Sequence, residues 1–135
     1  MPAARPAGGP VAGKAYPPVE VPIRADSVAA FARALGVDPE EGVPPTFAAV
    51  YALEATAPQL FGDPEAAIDF ARLLHAEQEF RWERHPRIGE TVTARGHVVA
   101  DLERRGARFV TYETTCTAGE DLLCTSRARF VIGGA

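Results

Sequence analysis

The last third of the chain constrains its fold more than any other part. Three long runs, 91–102, 107–117 and 122–132, alternate apolar with polar side chains, and only Glu103-Arg104-Arg105-Gly106 and Ala118-Gly119-Glu120-Asp121 separate them. A period of two marks β-strands, and connections this short and glycine-bearing can only turn the chain back on itself. The segment therefore reads as an antiparallel meander. In its last run Leu122, Cys124, Ala128, Phe130 and Ile132 share one face, and Leu123, Thr125, Arg127, Arg129 and Val131 the other. A fourth strand is predicted just upstream, before the turn His85-Pro86-Arg87-Ile88-Gly89. There Leu74, Ala76, Gln78, Phe80 and Trp82 alternate with His75, Glu77, Glu79 and Arg81.

A half-buried sheet needs something to cover it, and the first half of the chain supplies helices. After a short strand at Val19–Ile23, which Pro22 confines to an edge, Asp26 or Ser27 is expected to cap a helix. That helix places Val28, Phe31, Ala32 and Leu35 on one face and stops at Gly36. Val37 to Pro45 is a loop. Thr46 is then expected to cap a second short helix, Phe47 to Leu53. Pro64 to Leu73 forms a third helix, with Ala67, Ile68, Ala71 and Leu74 at helical spacing, and is taken as the central one. The fold class is α+β, an antiparallel sheet wrapped around one central helix, in a single domain spanning 1–135. Its first dozen residues, rich in Pro and Gly, are expected to be flexible. One face of such a sheet and one edge stay uncovered, so a dimer is expected.

Composition narrows the function. With 14 basic and 18 acidic residues the chain carries a net charge of -4, so it lacks the broad basic surface that a nucleic-acid partner requires. No apolar run approaches the roughly 18 residues that span a bilayer, and no secretory leader is evident; a cytoplasmic protein without a membrane partner is expected. Cys116 and Cys124 are too few and too widely spaced for a zinc site. They read as buried free thiols that can face one another across a hairpin. No metal and no cofactor is expected.

Two stretches carry a family signature: Pro44-Pro45-Thr46-Phe47, and Leu74-His75-Ala76-Glu77-Gln78-Glu79-Phe80 followed by Pro86-Arg87-Ile88-Gly89-Glu90-Thr91. In order and spacing the chain, from about Ala12 to Ile132, resembles the MaoC-like dehydratase N-terminal family, which is related to the non-catalytic-type subunits of mycobacterial (3R)-hydroxyacyl-ACP dehydratase. The resemblance implies a hotdog fold and acyl-CoA or acyl carrier protein thioesters as substrates, in fatty-acid or polyketide metabolism. In catalytic members the loop after the first helix holds an Asp and, five residues later, a His, with an Asn-Pro between them. Together they move the proton alpha to the thioester carbonyl and position the water at the beta carbon, while a backbone N–H at a nearby helix start polarises the carbonyl.

Here that loop reads Leu35-Gly36-Val37-Asp38-Pro39-Glu40-Glu41-Gly42-Val43-Pro44-Pro45. With Asp38 as the family aspartate, the histidine position is Val43; with Asp38-Pro39 in place of the family Asn-Pro, it is Glu41. Neither register restores the dyad, and the stretch before Pro44 is shortened. Asp38 and Glu41 remain candidates for a lone acid or base. His75 and Gln78 are candidate substrate contacts: the reading sets His75 on the polar face, at a subunit contact or a thioester, and points Gln78 into the core, where its amide needs a partner, expected in the backbone of the central helix or in a substrate carbonyl or pantetheine. His85 and His97 read as ordinary surface or strand histidines. Arg104, Arg105 and Arg108, and Arg127 with Arg129, can either attract a phosphorylated carrier or form a solvated strand face.

The resemblance implies a substrate-holding half of an (R)-specific enoyl-thioester hydratase or 3-hydroxyacyl dehydratase, inactive alone and paired with a catalytic MaoC-like hotdog subunit. Two alternatives stand beside it. One is a homo-oligomeric hotdog thioesterase or altered dehydratase; the other is a module that binds acyl-thioesters without turnover.

Overall fold

The computed structural model describes residues 9–134. Its frame is a five-stranded sheet in the order β1-β3-β4-β5-β2, all pairs antiparallel. The strands are β1 Val19–Pro22, β2 Leu73–Trp82, β3 Thr91–Arg104, β4 Ala107–Ala118 and β5 Asp121–Ile132. The meander forms as the alternation requires. Arg105 and Gly106 both take positive φ, 54° and 80°, which a two-residue type I′ turn demands of its central positions.

The helix inside the sheet is not Pro64–Leu73 but the run before it. A 3-10 turn at Pro45–Phe47 leads into a π-helical stretch, Ala49–Glu54, and then α2, Ala55–Phe61. Pro44 precedes the first turn, and Thr46 makes no capping bond there. The helix passes Leu53, where the sequence reading ended it, and continues through Pro58. A proline removes one N–H and crowds the carbonyl four residues back; the wider π-turns lie just upstream of it, at those carbonyls. Tyr51, Ala52, Thr56 and Leu60 are buried against the sheet.

Pro64–Leu73 instead winds through turns to a short 3-10 piece, Phe70–Arg72. Its aspartates explain this. Asp63 accepts from the Glu65 N–H at 3.0 Å and Asp69 from the Ala71 N–H at 3.1 Å, local bonds that compete with helical ones. Arg108 also takes the Ala66 carbonyl.

The other helix, α1, runs Ala25–Leu35 and buries Val28 and Ala32, with Leu35 50% exposed. It begins at Arg24 without a side-chain cap, so neither Asp26 nor Ser27 caps it; Gly36, at φ 78°, ends it in the left-handed conformation. Of the first dozen residues, expected to be flexible, 1–8 lie outside the described region, and from Gly9 onward the arm runs along the sheet. Val11 is buried, and Gly13, Lys14 and Tyr16 bond to the edge of β3 at Val98 and Gly96. Among the described residues no helix is long and apolar enough to cross a membrane.

Three bulges reset the alternation. In β5 the register jumps from Cys116↔Cys124 to Thr117↔Leu122, so Leu123 is the extra residue. Leu123 is fully buried and Leu122 43% exposed, the reverse of the assignment from simple alternation. Val99 is the extra residue of β3, and Ala76 that of β2. Each inserts one unpaired residue and bends its strand. Cys116 and Cys124 do face one another, as free buried thiols.

Candidate functional site

The Ala76 bulge decides where the candidate polar residues of β2 point. Leu73 and His75 lie opposite Ile132 and Phe130; beyond the bulge Gln78, Phe80 and Trp82 lie opposite Ala128, Ser126 and Cys124. Each of these β5 partners is buried. His75 is therefore on the same helix-facing side as Gln78, not on the opposite face. Leu74, expected in the core, is 63% exposed on the other side, and Ala76 is exposed.

The two candidates touch. His75 Nε2 lies 3.1 Å from Gln78 Oε1. The Gln78 amide donates to Ser126 Oγ at 2.8 Å and to the Glu79 carbonyl at 3.2 Å. Gln78 thus has its partner, on the neighbouring strand rather than on helix backbone. The His75 ring stands 5.0 Å from the Phe130 ring, and Phe130 packs on Phe61 at the end of α2 at 5.1 Å. Ser126 escaped the sequence reading, although a hydroxyl between Cys124 and Ala128 on an apolar face is a visible signal.

Asp38 and Glu41 sit at the other end of the central helix. They line a shallow groove of about 180 Å³ with Leu35, Val37, Val43 and Pro45. Asp38 is occupied locally: its carboxylate accepts from the Glu40 N–H at 2.9 Å and starts a 3-10 turn, Pro39–Glu41. From Pro45 to Phe61 a helix extends roughly 25 Å at about 1.5 Å per residue. Within one chain, His75 therefore does not share reacting atoms with either carboxylate. At the helix start Pro44 and Pro45 have no N–H, the Phe47 N–H donates to Pro44 and the Ala48 N–H to Pro45 and Thr46, so the donor left to an oxyanion there is the Thr46 N–H.

Two aromatic side chains frame this end. Trp82 Nε1 donates to the Pro45 carbonyl at 3.1 Å, tying β2 to the helix start. Tyr51 is 1% exposed and its hydroxyl has no oxygen or nitrogen partner. Burial pushes its phenol far up, with the Cys124 and Cys116 thiols alongside, and burial likewise raises both thiols. The cysteines are therefore inert packing groups rather than nucleophiles.

The arginines divide. Arg108 makes two 2.8 Å bonds to the buried Asp101 and is withdrawn from any carrier. Arg127 pairs with Glu113 at 2.8 Å and Arg129 with Glu77 at 3.3 Å, on the outer face. His85 packs edge-on against Trp82, and His97 stands 3.9 Å from Glu113.

Residues 11–126 match the family described as FAS1-like, dehydratase domain region. The chain belongs to that family. It is 37% identical over 93 residues to a UPF0336 protein of Thermobifida fusca, a segment that covers 67% of this chain and 60% of that protein. The likeness thus spans about three fifths of that curated relative. Among solved structures, the C-terminally truncated HadBC (3R-hydroxyacyl-ACP dehydratase) complex from Mycobacterium tuberculosis superposes with a TM-score of 0.72 at 19% identity, covering 90% of this chain and 96% of that one. A MaoC-like dehydratase from Rhodospirillum rubrum gives 0.66 at 14% identity, covering 92% and 93%. These likenesses show the hotdog fold that the sequence signature implied, and the family match makes it a dehydratase-type domain.

Proposed function

We propose that this chain is the substrate-holding half of a heteromeric, cytoplasmic (R)-specific enoyl-thioester hydratase or 3-hydroxyacyl dehydratase acting on acyl-CoA or acyl-ACP. A partner hotdog chain supplies the Asp and His. The observation that carries this reading is the separation of the candidates along the central helix. Asp38 and Glu41 lie at its start and His75 at its far end, so the chain's own residues assemble no acid–base pair at one carbon. His75, Gln78 and Ser126 form a hydrogen-bonded polar strip beside the helix, suited to hold a thioester carbonyl or a pantetheine amide while the partner does the proton chemistry. The groove at Asp38 and Glu41 favours a second reading, a homo-oligomeric hydrolase or altered dehydratase that uses one of these carboxylates.

The test is native capture of the tagged chain from its host, followed by enoyl-CoA hydration assays on the isolated chain and on the recovered complex. Turnover only in a complex whose partner carries Asp and His supports the subunit reading. Turnover by the isolated chain, abolished by Asp38→Asn or Glu41→Gln, overturns it in favour of the second. In the active complex, Gln78→Leu is expected to raise KM more than it lowers kcat, the signature of lost ground-state binding.

A further inference from the structure

The central helix covers one face of the sheet and leaves the other bare. On that outer face the register sets side chains in rows that cross four strands, from β3 through β4 and β5 to β2. One row is apolar throughout: Leu102, Phe109, Val131 and Leu74 lie opposite one another in turn. Leu74 is 63% exposed and the other three are half-buried. Leu102 and Phe109 also border a hollow of about 350 Å³, with Arg104 and Arg129 among its walls. An exposed apolar stripe with a polar rim marks a contact surface.

Two rows along, the face is charged and the signs can alternate. His97, Glu113, Arg127 and Glu79 lie opposite one another in that order. Glu113 holds Arg127 at 2.8 Å and stands 3.9 Å from His97 Nε2, whereas Glu79 is in no ion pair among the described residues. The row between consists of Ala100, Thr111, Arg129 and Glu77.

We propose that a second copy of this chain packs its outer face against this one, about a two-fold axis that runs along the strands between β4 and β5. Such an axis keeps every row level and reverses its order, so β3 meets β2 of the copy and β4 meets β5. In the apolar row Phe109 then lies over Val131, and the exposed Leu74 enters the hollow beside Leu102. In the charged row Glu113 meets Arg127, which closes a ring of four alternating charges with the pair already present in each chain, and Glu79 meets His97. Each contact occurs twice, because a two-fold interface is self-complementary. The row between sets Thr111 against Arg129 and Ala100 against Glu77, without like charges. The row beyond sets Arg95 against Arg81, so the contact ends there. An axis across the strands also stacks the apolar rows, but it carries the charged row past the β3–β4 turn, where nothing matches it. Sheets packed face to face align within about 30°, as this arrangement requires. Three rows at about 6.8 Å and four strands at about 4.8 Å make a small contact, so micromolar association is expected. The helix side, and with it the candidate site, stays open.

Sedimentation velocity on the purified chain, over a range of micromolar concentrations, tests this. The wild type is expected to self-associate. Glu113→Arg and Arg127→Glu each set like charges against one another twice, and each is expected to weaken association about tenfold or more, with the circular dichroism unchanged. Both substitutions in one chain are expected to associate as the wild type does. Mixed in equal amounts, the two single variants are expected to regain association, because the carboxylate pair of one then faces the guanidinium pair of the other. That rescue separates a contact between chains from any effect of these residues within one chain. A wild type that stays monomeric overturns the proposal. So does association that neither reversal weakens, or a mixture that binds no more tightly than its components.

Discussion

The two ends of the central helix are held in opposite ways. At its C-terminal end side chains clamp the N-terminal arm and the loop after α2 to the sheet. Asp101 and Arg108 form a buried pair; Tyr16 donates to Asp63 at 2.7 Å, where Lys14 also stands at 2.8 Å; Gln59 donates to the Pro17 carbonyl at 2.9 Å. At the N-terminal end a shortened loop carries carboxylates that form no ion pair among the described residues, and Leu35 and Val37 lie in the open. The difference teaches where this domain keeps its stability and where it leaves surface for something else: the clamped end is finished within the chain, and the bare end is not.

The sharpest way to break this contrast is Arg108→Met. It leaves the Asp101 carboxylate, 0% exposed, with its principal partner gone, and about 3–5 kcal/mol of unfolding free energy should be lost in urea titrations. Next comes Gly96→Ala at the same end. A methyl there meets the Tyr112 ring and hydroxyl, and the Tyr112 hydroxyl is fixed by a 3.1 Å bond to the Thr56 carbonyl, so a cost of about 1–3 kcal/mol is expected in the same titrations. Towards the bare end the sign reverses. Tyr51→Phe removes a buried, unpartnered hydroxyl and should leave stability unchanged or raise it by about 1 kcal/mol, visible as a higher Tm.

Acid sharpens the contrast more gently. Lys14 and Tyr16 hold Asp63 down at about 2, below the ordinary aspartate value near about 3.9. A depressed carboxylate contributes stability that is complete above the unfolded value and lost as pH falls through the folded one. Between about pH 4 and 2 the arm should loosen, read as faster hydrogen exchange at Lys14 and Tyr16. The smallest effect is expected at the bare end: Asp38→Ala and Glu41→Ala should each shift stability by no more than about 0.5 kcal/mol, and a larger loss at either would show that this loop is structural.

The meander was plain in the sequence because period-two alternation and glycine turns are local properties. The central helix was misplaced because local signals compete there. Asp63-Pro64 and the spacing of Ala67, Ile68 and Ala71 imitate a helix start, but the aspartates bond to their own loop, and Pro58 disguised a real helix that accommodates it by widening. The bulges at Ala76, Val99 and Leu123 escaped as well, since an extra residue is defined by the strand opposite and leaves no mark on its own. The candidate site inherited that error: Gln78 was rightly turned inward, while its companion His75 was assigned to the wrong side.

The Ala76 bulge has a further consequence for how such motifs travel between proteins. The word His75-Ala76-Glu77-Gln78 carries no fixed meaning in space, because one skipped pairing works as a parity bit for everything written before it. Deleting Ala76 would make β2 a plain ladder with Glu77 still opposite Arg129 and His75 still opposite Phe130, so a lost codon would keep His75 on the helix side with Gln78. Pairing Ala76 in regular alternation would instead turn Leu73 and His75 to the outer face. Comparative readings of this strand therefore need the ladder, not only the letters.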